Sequence, residues 1–161
     1  MSNVSQSLEL NKNFICKALH YQLSNDVQIR DIDICINSST IKSFFVSYDG
    51  LVNTDLINNY IIRALMNKNN TYERPSSGTK SFLKKKNTQD ESLIDTITNS
   101  ILHDLQITPS SDFDEIIQCI LHGDSALFIE NQDTALICDT KNIPGRTVTK
   151  AEIEIRGWSY L

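Results

Sequence analysis

The residues of this 161-residue chain best placed to do chemistry are Asp49 and Gly50. They follow the run Ser43-Phe44-Phe45-Val46-Ser47-Tyr48 and precede a helical pattern, the strand-to-helix joint at which α/β folds place ligands. A carboxylate there could hold a metal or a hydroxyl. Asp-Gly is also what a tight turn demands, and no second acid accompanies it at supporting spacing. His20, His103 and His122 lie far apart, and none has a serine or cysteine partner in a nucleophile elbow. Asp112, Asp114 and Glu115 suit a helix start better than paired acid and base. Gly78-Thr79-Lys80-Ser81 has letters of a phosphate loop, but neither the leading glycine nor the preceding strand that such a loop requires. Cys16, Cys35, Cys119 and Cys138 form no C-x-x-C pair and have no histidine at ligand spacing, so they read as buried, reduced thiols. Local chemistry therefore points to a non-enzyme with no metal and no cofactor.

The elements that must position these residues are legible from periodicity. Leu8, Phe14, Ile15, Ala18, Leu19 and Leu23 predict a first helix over Ser7 to Leu23. From Val27 the period becomes two through Ile36, with a phase slip at Arg30-Asp31 that predicts a bulge or break. The aromatic run 43–48 is a central strand. Asn53-Thr54 then caps a helix carrying Leu56, Ile57, Tyr60, Ile61, Ala64 and Leu65, ending near Met66. Residues 67–87 lose periodicity and read as an exposed loop. Thr88-Gln89-Asp90-Glu91 is a capping box for a helix with Ile94, Ile97, Ile101 and Leu105 on one stripe, which Thr108-Pro109 breaks. A further helix opens at Ser111-Asp112, carries Phe113, Ile116, Ile117, Ile120 and Leu121 inward and stops at Gly123 in the C′ position. Ala126–Ile129 and Ala135–Cys138 form a hairpin, and Ile153 and Ile155 alternate with charges as in an edge strand. The expectation is an α/β (α+β-like) fold: a mixed sheet of about five strands with helices packed on it. A right-handed crossover joins 44–48 to 126–129 if those strands are parallel.

Composition bounds the function. The hydrophobic fraction is 40%, the charged fraction 22% and the formal charge −5. A single domain of this size supports a core without disulfide or metal staples. No apolar run approaches the ~18 residues of a membrane span. The N-terminus lacks the basic and apolar regions of a secretory signal, so this chain alone is expected to be soluble and intracellular. Charge is uneven: from Arg63 to Lys86 seven basic residues stand against one acid, +6, leaving −11 elsewhere. That basic stretch could touch phosphates or anionic headgroups, but as a solvated loop it needs no ligand, and the acidic body argues against nucleic acid.

Three blocks resemble the N-terminal hydrophilic region of the GerA family of spore germination proteins, A subunit. They are Asp26-Val27-Gln28-Ile29-Arg30; then Phe45-Val46-Ser47-Tyr48-Asp49-Gly50-Leu51-Val52 with Leu56-Ile57-Asn58-Asn59 and Leu65-Met66; then Ile120-Leu121-His122-Gly123-Asp124-Ser125-Ala126-Leu127-Phe128-Ile129 with Ala135-Leu136-Ile137. Gly145-Arg146-Thr147-Val148 and Glu154-Ile155-Arg156-Gly157 are similar to the family elements that follow. The resemblance implies a non-catalytic α/β lobe that, in the complete protein, precedes a second related lobe and a membrane region in the spore inner membrane. It implies B and C subunits as partners and a nutrient germinant as signal. Lys150-Ala151 departs from the family's usual Glu-Pro, and after Gly157 the sequence Trp158-Ser159-Tyr160-Leu161 departs from its continuation. The expectation is a reading frame shortened after Gly157.

The domain layout expected is one domain: 1–66 with the helix, first strands and second helix; 67–87 as a basic loop; 88–157 with the helix pair, hairpin and edge strand; and 158–161 as a divergent end. Arg146, Arg156 and Gly157 are candidates for contact with the second lobe, and Asp49 with Gly50 for a ligand-proximal turn. An isolated lobe is expected to self-associate through the edge near Ile153 and Ile155. The alternative is a small anion- or phosphate-binding α/β protein using Asp49 and the basic loop.

Overall fold

The structure, a computed structural model, describes residues 2–71 and 93–142. Its centre is a five-stranded sheet: β1 (Val27–Ile36), β2 (Ser39–Tyr48), β3 (Ile107–Ser110), β4 (Ser125–Ile129) and β5 (Ala135–Cys138), in the order β1-β2-β4-β5-β3. Helix α1 (Leu8–Ala18) and helix α4 (Phe113–Leu121) cover one face. Helix α2 (Thr54–Leu56, Ile57–Ile62 and Arg63–Leu65 run together) and helix α3 (93–101) cover the other. The α/β architecture is as expected. Every strand pairing among the described residues is antiparallel, so the crossover rule for parallel strands has nothing to act on.

Two layers of helices explain the sequence pattern. Residues of one parity in each strand (Phe44, Val46, Ala126, Phe128, Ala135 and Ile137) feed the core under α1 and α4. Those of the other parity (Phe45, Leu127, Ile129, Leu136 and Cys138) feed the core under α2 and α3. Strands buried on both faces read as continuous apolar runs, which is why 126–129 and 135–138 show no alternation. Four rings bind the first core: Phe14 stacks on Phe113 at 4.1 Å between centroids, Phe113 on Phe128 at 5.9 Å and Phe128 on Phe44 at 4.7 Å.

The slip at Arg30-Asp31 is not a bulge. β1 pairs with β2 without interruption from Val27↔Tyr48 to Ile36↔Ser39. Instead, the strand changes which face it buries. Val27 and Ile29 belong to the α1 side; Ile32, Ile34 and Ile36 belong to the α2 side. A half-covered edge strand alternates apolar and polar on whichever face has a helix over it, and the coverage switches midway along β1.

Other boundaries differ for local reasons. α1 stops at Ala18 because His20, at φ +53°, occupies the left-handed position of a Schellman closure: Tyr21 N–H donates to Cys16 O (2.9 Å) and His20 N–H to Lys17 O (3.3 Å). Leu23, which periodicity places in the helix, is 85% exposed. Gly123 closes α4 by the same device, as expected, with Asp124 N–H to Cys119 O and Gly123 N–H to Ile120 O. Thr108-Pro109 lies in a strand that periodicity does not reveal. Asp139 N–H donates to Gln106 O, so by alternation Ile107 and Pro109 turn outward, and the proline's missing donor falls on the free edge. Both α2 and α3 contain wide i→i+5 turns, Ile57–Ile62 and Ile97–Ile101. Ile57, Ile61 and Leu65 are four apart, an interval that overshoots a 3.6-residue turn and that wider turns bring back into line. The capping box at 88–91 and the strand near Ile153 lie outside the described residues.

The hairpin joining β1 and β2 carries no glycine signal. Its two loop residues, Asn37 (φ +54°) and Ser38 (φ +67°), both take the left-handed conformation of a type I′ turn, and Ser38 stands where glycine is usual. A non-glycine residue there costs about 1–2 kcal/mol. Ser38→Gly is expected to raise the unfolding free energy by about 0.5–1 kcal/mol in urea titrations; an unchanged or lower midpoint would contradict the turn assignment.

Candidate functional site

Three segments meet at the end of the sheet where β2 stops and β4 begins. The first is the turn after β2. Leu51 N–H donates to Tyr48 O at 3.0 Å, and Gly50 at φ +97° supplies the positive φ that a type II turn needs at its third position. The second is the α4–β4 connection, 122–125. The third leaves β5 at Cys138 and runs through Asn142.

Backbone bonds lace them together. Val52 and Lys141 form an antiparallel bridge, Asn53 N–H donates to Thr140 O at 2.8 Å, and Asn142 N–H donates to Leu51 O at 3.0 Å. Asn53 serves twice, since its side chain also accepts from Leu56 N–H at 3.1 Å and so starts α2. Beneath these strands lies a closed hydroxyl relay. Ser125 Oγ and Thr140 Oγ1 are 2.7 Å apart, and Thr140 Oγ1 donates to Gly123 O at 3.0 Å, with both side chains buried. Gly123, at φ +105°, holds a backbone angle that strains any side chain, and a Cβ there would stand a tight 3.1 Å from both Leu51 O and Lys141 Cγ.

The charges are arranged around Lys141. Its Nζ donates to Asp124 Oδ1 at 2.7 Å and lies 3.7 Å from Asp139. The hydrogen bond to Asp124 raises the lysine's pKa above its ordinary value. Burial, followed by the charge of Asp124, pushes the Cys119 thiol up, and burial pushes the fully enclosed Cys138 thiol up to about 12. Both thiols are thereby held protonated and un-nucleophilic near neutral pH. His122 donates Nδ1–H to Gln118 O at 2.7 Å, which ties its ring to its own helix. Among the described residues no three metal-ligating side chains converge. The arrangement fastens three segments together.

Asp49 and Gly50 sit exposed at the rim, where Asp49 N–H is bonded to Asp26 O. A Cβ on Gly50 would meet nothing within 4 Å, so its backbone angle rather than crowding calls for glycine. Leu51, in the turn after β2, and Leu121, the last residue of α4, are 40% and 43% exposed, although periodicity assigns Leu121 to the core. Arg146, Arg156, Gly157 and the basic residues from Arg74 to Lys86 lie outside the described residues. Thr140, Lys141 and the pairing of Asp124 with Lys141 escape sequence reasoning. They belong to a short polar stretch after a strand, and only contacts distant in sequence give them a role.

The segments that converge here overlap two of the blocks that carry the resemblance, 45–52 and 120–129. The family model described as the Bacillus/Clostridium GerA spore germination protein matches residues 14–157. The chain belongs to the GerA family. Among solved structures, this GerA chain is similar to the N-terminal domain of the A subunit of the Bacillus megaterium spore germinant receptor GerK3, with a TM-score of 0.59 and 21% identity. The likeness covers 89% of this chain and 50% of that one, so the GerA chain spans half the length of that domain. No curated protein matches it. Among the described residues, no helix of this GerA domain is long and apolar enough to cross a membrane.

Two outcomes are expected. Thr140→Val leaves the Ser125 hydroxyl and Gly123 carbonyl short of a partner and should lower stability by about 1–3 kcal/mol in denaturant titrations, against a smaller loss for Thr140→Ser. Alkaline titration of stability should fall from the ordinary thiol value of 9.0 upward, because the unfolded chain ionises Cys138 there while the folded one holds its proton to about 12. Lys141, whose pKa is also raised on folding, adds a loss in the same direction as pH passes its ordinary 10.5. In Cys138→Ala the slope between pH 9 and 10 should flatten; an equally steep slope would remove the thiol as its cause.

Proposed function

We propose that this chain is the first, non-catalytic lobe of a germinant-receptor A subunit, acting in nutrient-triggered spore germination by docking with the rest of its receptor. The single observation that carries this reading is the GerA match over residues 14–157, nearly the whole chain. The geometry of the junction supports it. Lys141, Asp124, Thr140 and Gly123 fasten 139–142 rigidly to the sheet end just before the chain continues. Leu51 and Leu121 give the same end apolar surface on which a following lobe can rest.

On this reading Asp49 and Gly50 shape a contact rim, and Arg146, Arg156 and Gly157 belong to the contact with the second lobe. The complete protein then continues into a membrane region of the spore inner membrane and assembles with B and C subunits, while the nutrient is sensed by the assembly. This single domain would run as 1–66, a basic connection 67–87, and 88–157. Non-catalytic docking fits thiols held protonated and an ion pair consumed in fastening backbone.

The test is made in spores that carry the complete gene with Leu51→Asp and Leu121→Asp together. Both residues are exposed, so the lobe should fold normally, as circular dichroism of the isolated lobe would verify. Nutrient-triggered loss of optical density should drop severalfold, and a tagged A subunit should recover less of the B and C subunits from spore membranes. Unchanged germination together with unchanged recovery would refute docking through this end.

A further inference from the structure

The two edges of the sheet are treated differently. β3 is four residues long and turns Pro109 outward, which closes that edge to an added strand. β1 is ten residues long. Which of its backbone groups face out follows from two bonds. Asp49 N–H donates to Asp26 O, so Asp26 and the even residues that follow bond toward β2. Asn70 Nδ2 donates to Cys35 O at 3.1 Å from the other side, so the odd residues face outward. Cys35 O is therefore occupied. Ile29, Asp31 and Asp33 each present one N–H and one C=O outward; among the described residues no backbone bond reaches them from that side, and Asp33 O takes one long contact from its own strand, Cys35 Sγ at 3.9 Å.

The side chains along this edge select what could pair with it. Asp31 and Asp33 are exposed on the α1 side; one of them, Asp31, meets Lys12 at 2.7 Å, with 76% of its side chain still accessible. On the opposite side Arg30 bonds to Asn58 Oδ1 at 3.0 Å, and from there on the strand is apolar, with Ile32, Ile34 and Ile36 under α2. A second copy fits poorly. Antiparallel pairing centred on Asp31 sets that carboxylate against its own symmetry mate; a one-step shift one way sets Asp31 against Asp33, and the other way sets Arg30 against its own mate, each unfavourable for like charges directly opposite.

We propose that the β1 edge is a strand-addition site for an extended segment of a partner polypeptide that alternates basic with apolar residues. Main-chain bonds to Ile29, Asp31 and Asp33 supply the ladder. Lysines or arginines over Asp31 and Asp33 supply the selectivity, and apolar residues continue the layer beneath α2. The site is separate from the sheet-end junction and does not rest on the receptor reading.

The probe is a synthetic peptide alternating lysine with valine, compared with its glutamate counterpart and with a proline-interrupted version. In the free chain the Ile29, Asp31 and Asp33 amides should exchange rapidly with solvent. The lysine peptide should protect them and bind at least tenfold more tightly than either control by fluorescence anisotropy. Asp31→Lys with Asp33→Lys should reverse the preference to the glutamate peptide while the circular dichroism spectrum stays unchanged. Asp33→Asn tests charge alone, and Asp33→Pro additionally removes an outward N–H that β2 does not use, so it should weaken binding beyond Asp33→Asn. Three results would overturn the proposal: amides already protected in the dilute free chain, meaning its own segments cover the edge; protection that appears only with chain concentration, meaning a second copy does; or equal binding of all peptides.

Discussion

A sheet covered on both faces must find an apolar side chain at almost every position of its inner strands, and the rest of this fold depends on that demand. From Ser125 to Ile129 and from Ala135 to Cys138 each residue is buried. Two of the buried hydroxyls these strands admit are matched: Ser125 by Thr140, and Ser43 by Ile32 O at 2.8 Å. Moving outward, coverage thins and the pattern loosens, until β1 buries one face in its first half and the other in its second. The helices follow suit, with α1 and α4 held by stacked rings and α2 and α3 by isoleucines and leucines at four-residue spacing.

Much of this is legible in the sequence, and the failures have physical causes. Two apolar runs separated by polar residues mean a hairpin, because a doubly covered antiparallel pair needs little more. Asn53, Asp112 and Gly123 announce helix ends through capping chemistry that acts within a turn. The same rules mislead where an unusual residue takes a common role. His20 closes a helix in the place of glycine, Ser38 turns a hairpin in the place of glycine, and Pro109 is tolerated in a strand because its bare side faces outward. The phase slip in β1 has the look of a backbone defect but records a change of neighbour.

The candidate site is half legible for a related reason. Asp49, Gly50 and Gly123 carry local signals. Thr140 and Lys141 carry none, since their roles arise from contacts with Gly123 and Asp124, 17 residues away. Asp49 stands exposed at the rim of that junction. The charged groups that do pair there, Lys141 with Asp124, fasten backbone to backbone.

Asn70 joins a strand and a helix through one side chain. Its amide group reaches Cys35 O on β1 and Ala64 O at the end of α2, while Asn70's own carbonyl accepts from Asn37 N–H. That rivets the chain to the sheet immediately before the stretch richest in positive charge. Lengthening a connection beyond such a rivet costs little, about 0.6 kcal/mol for each doubling of length. One asparagine bonded to both a strand and a helix thus marks a boundary across which a change further along the chain need not reach the core.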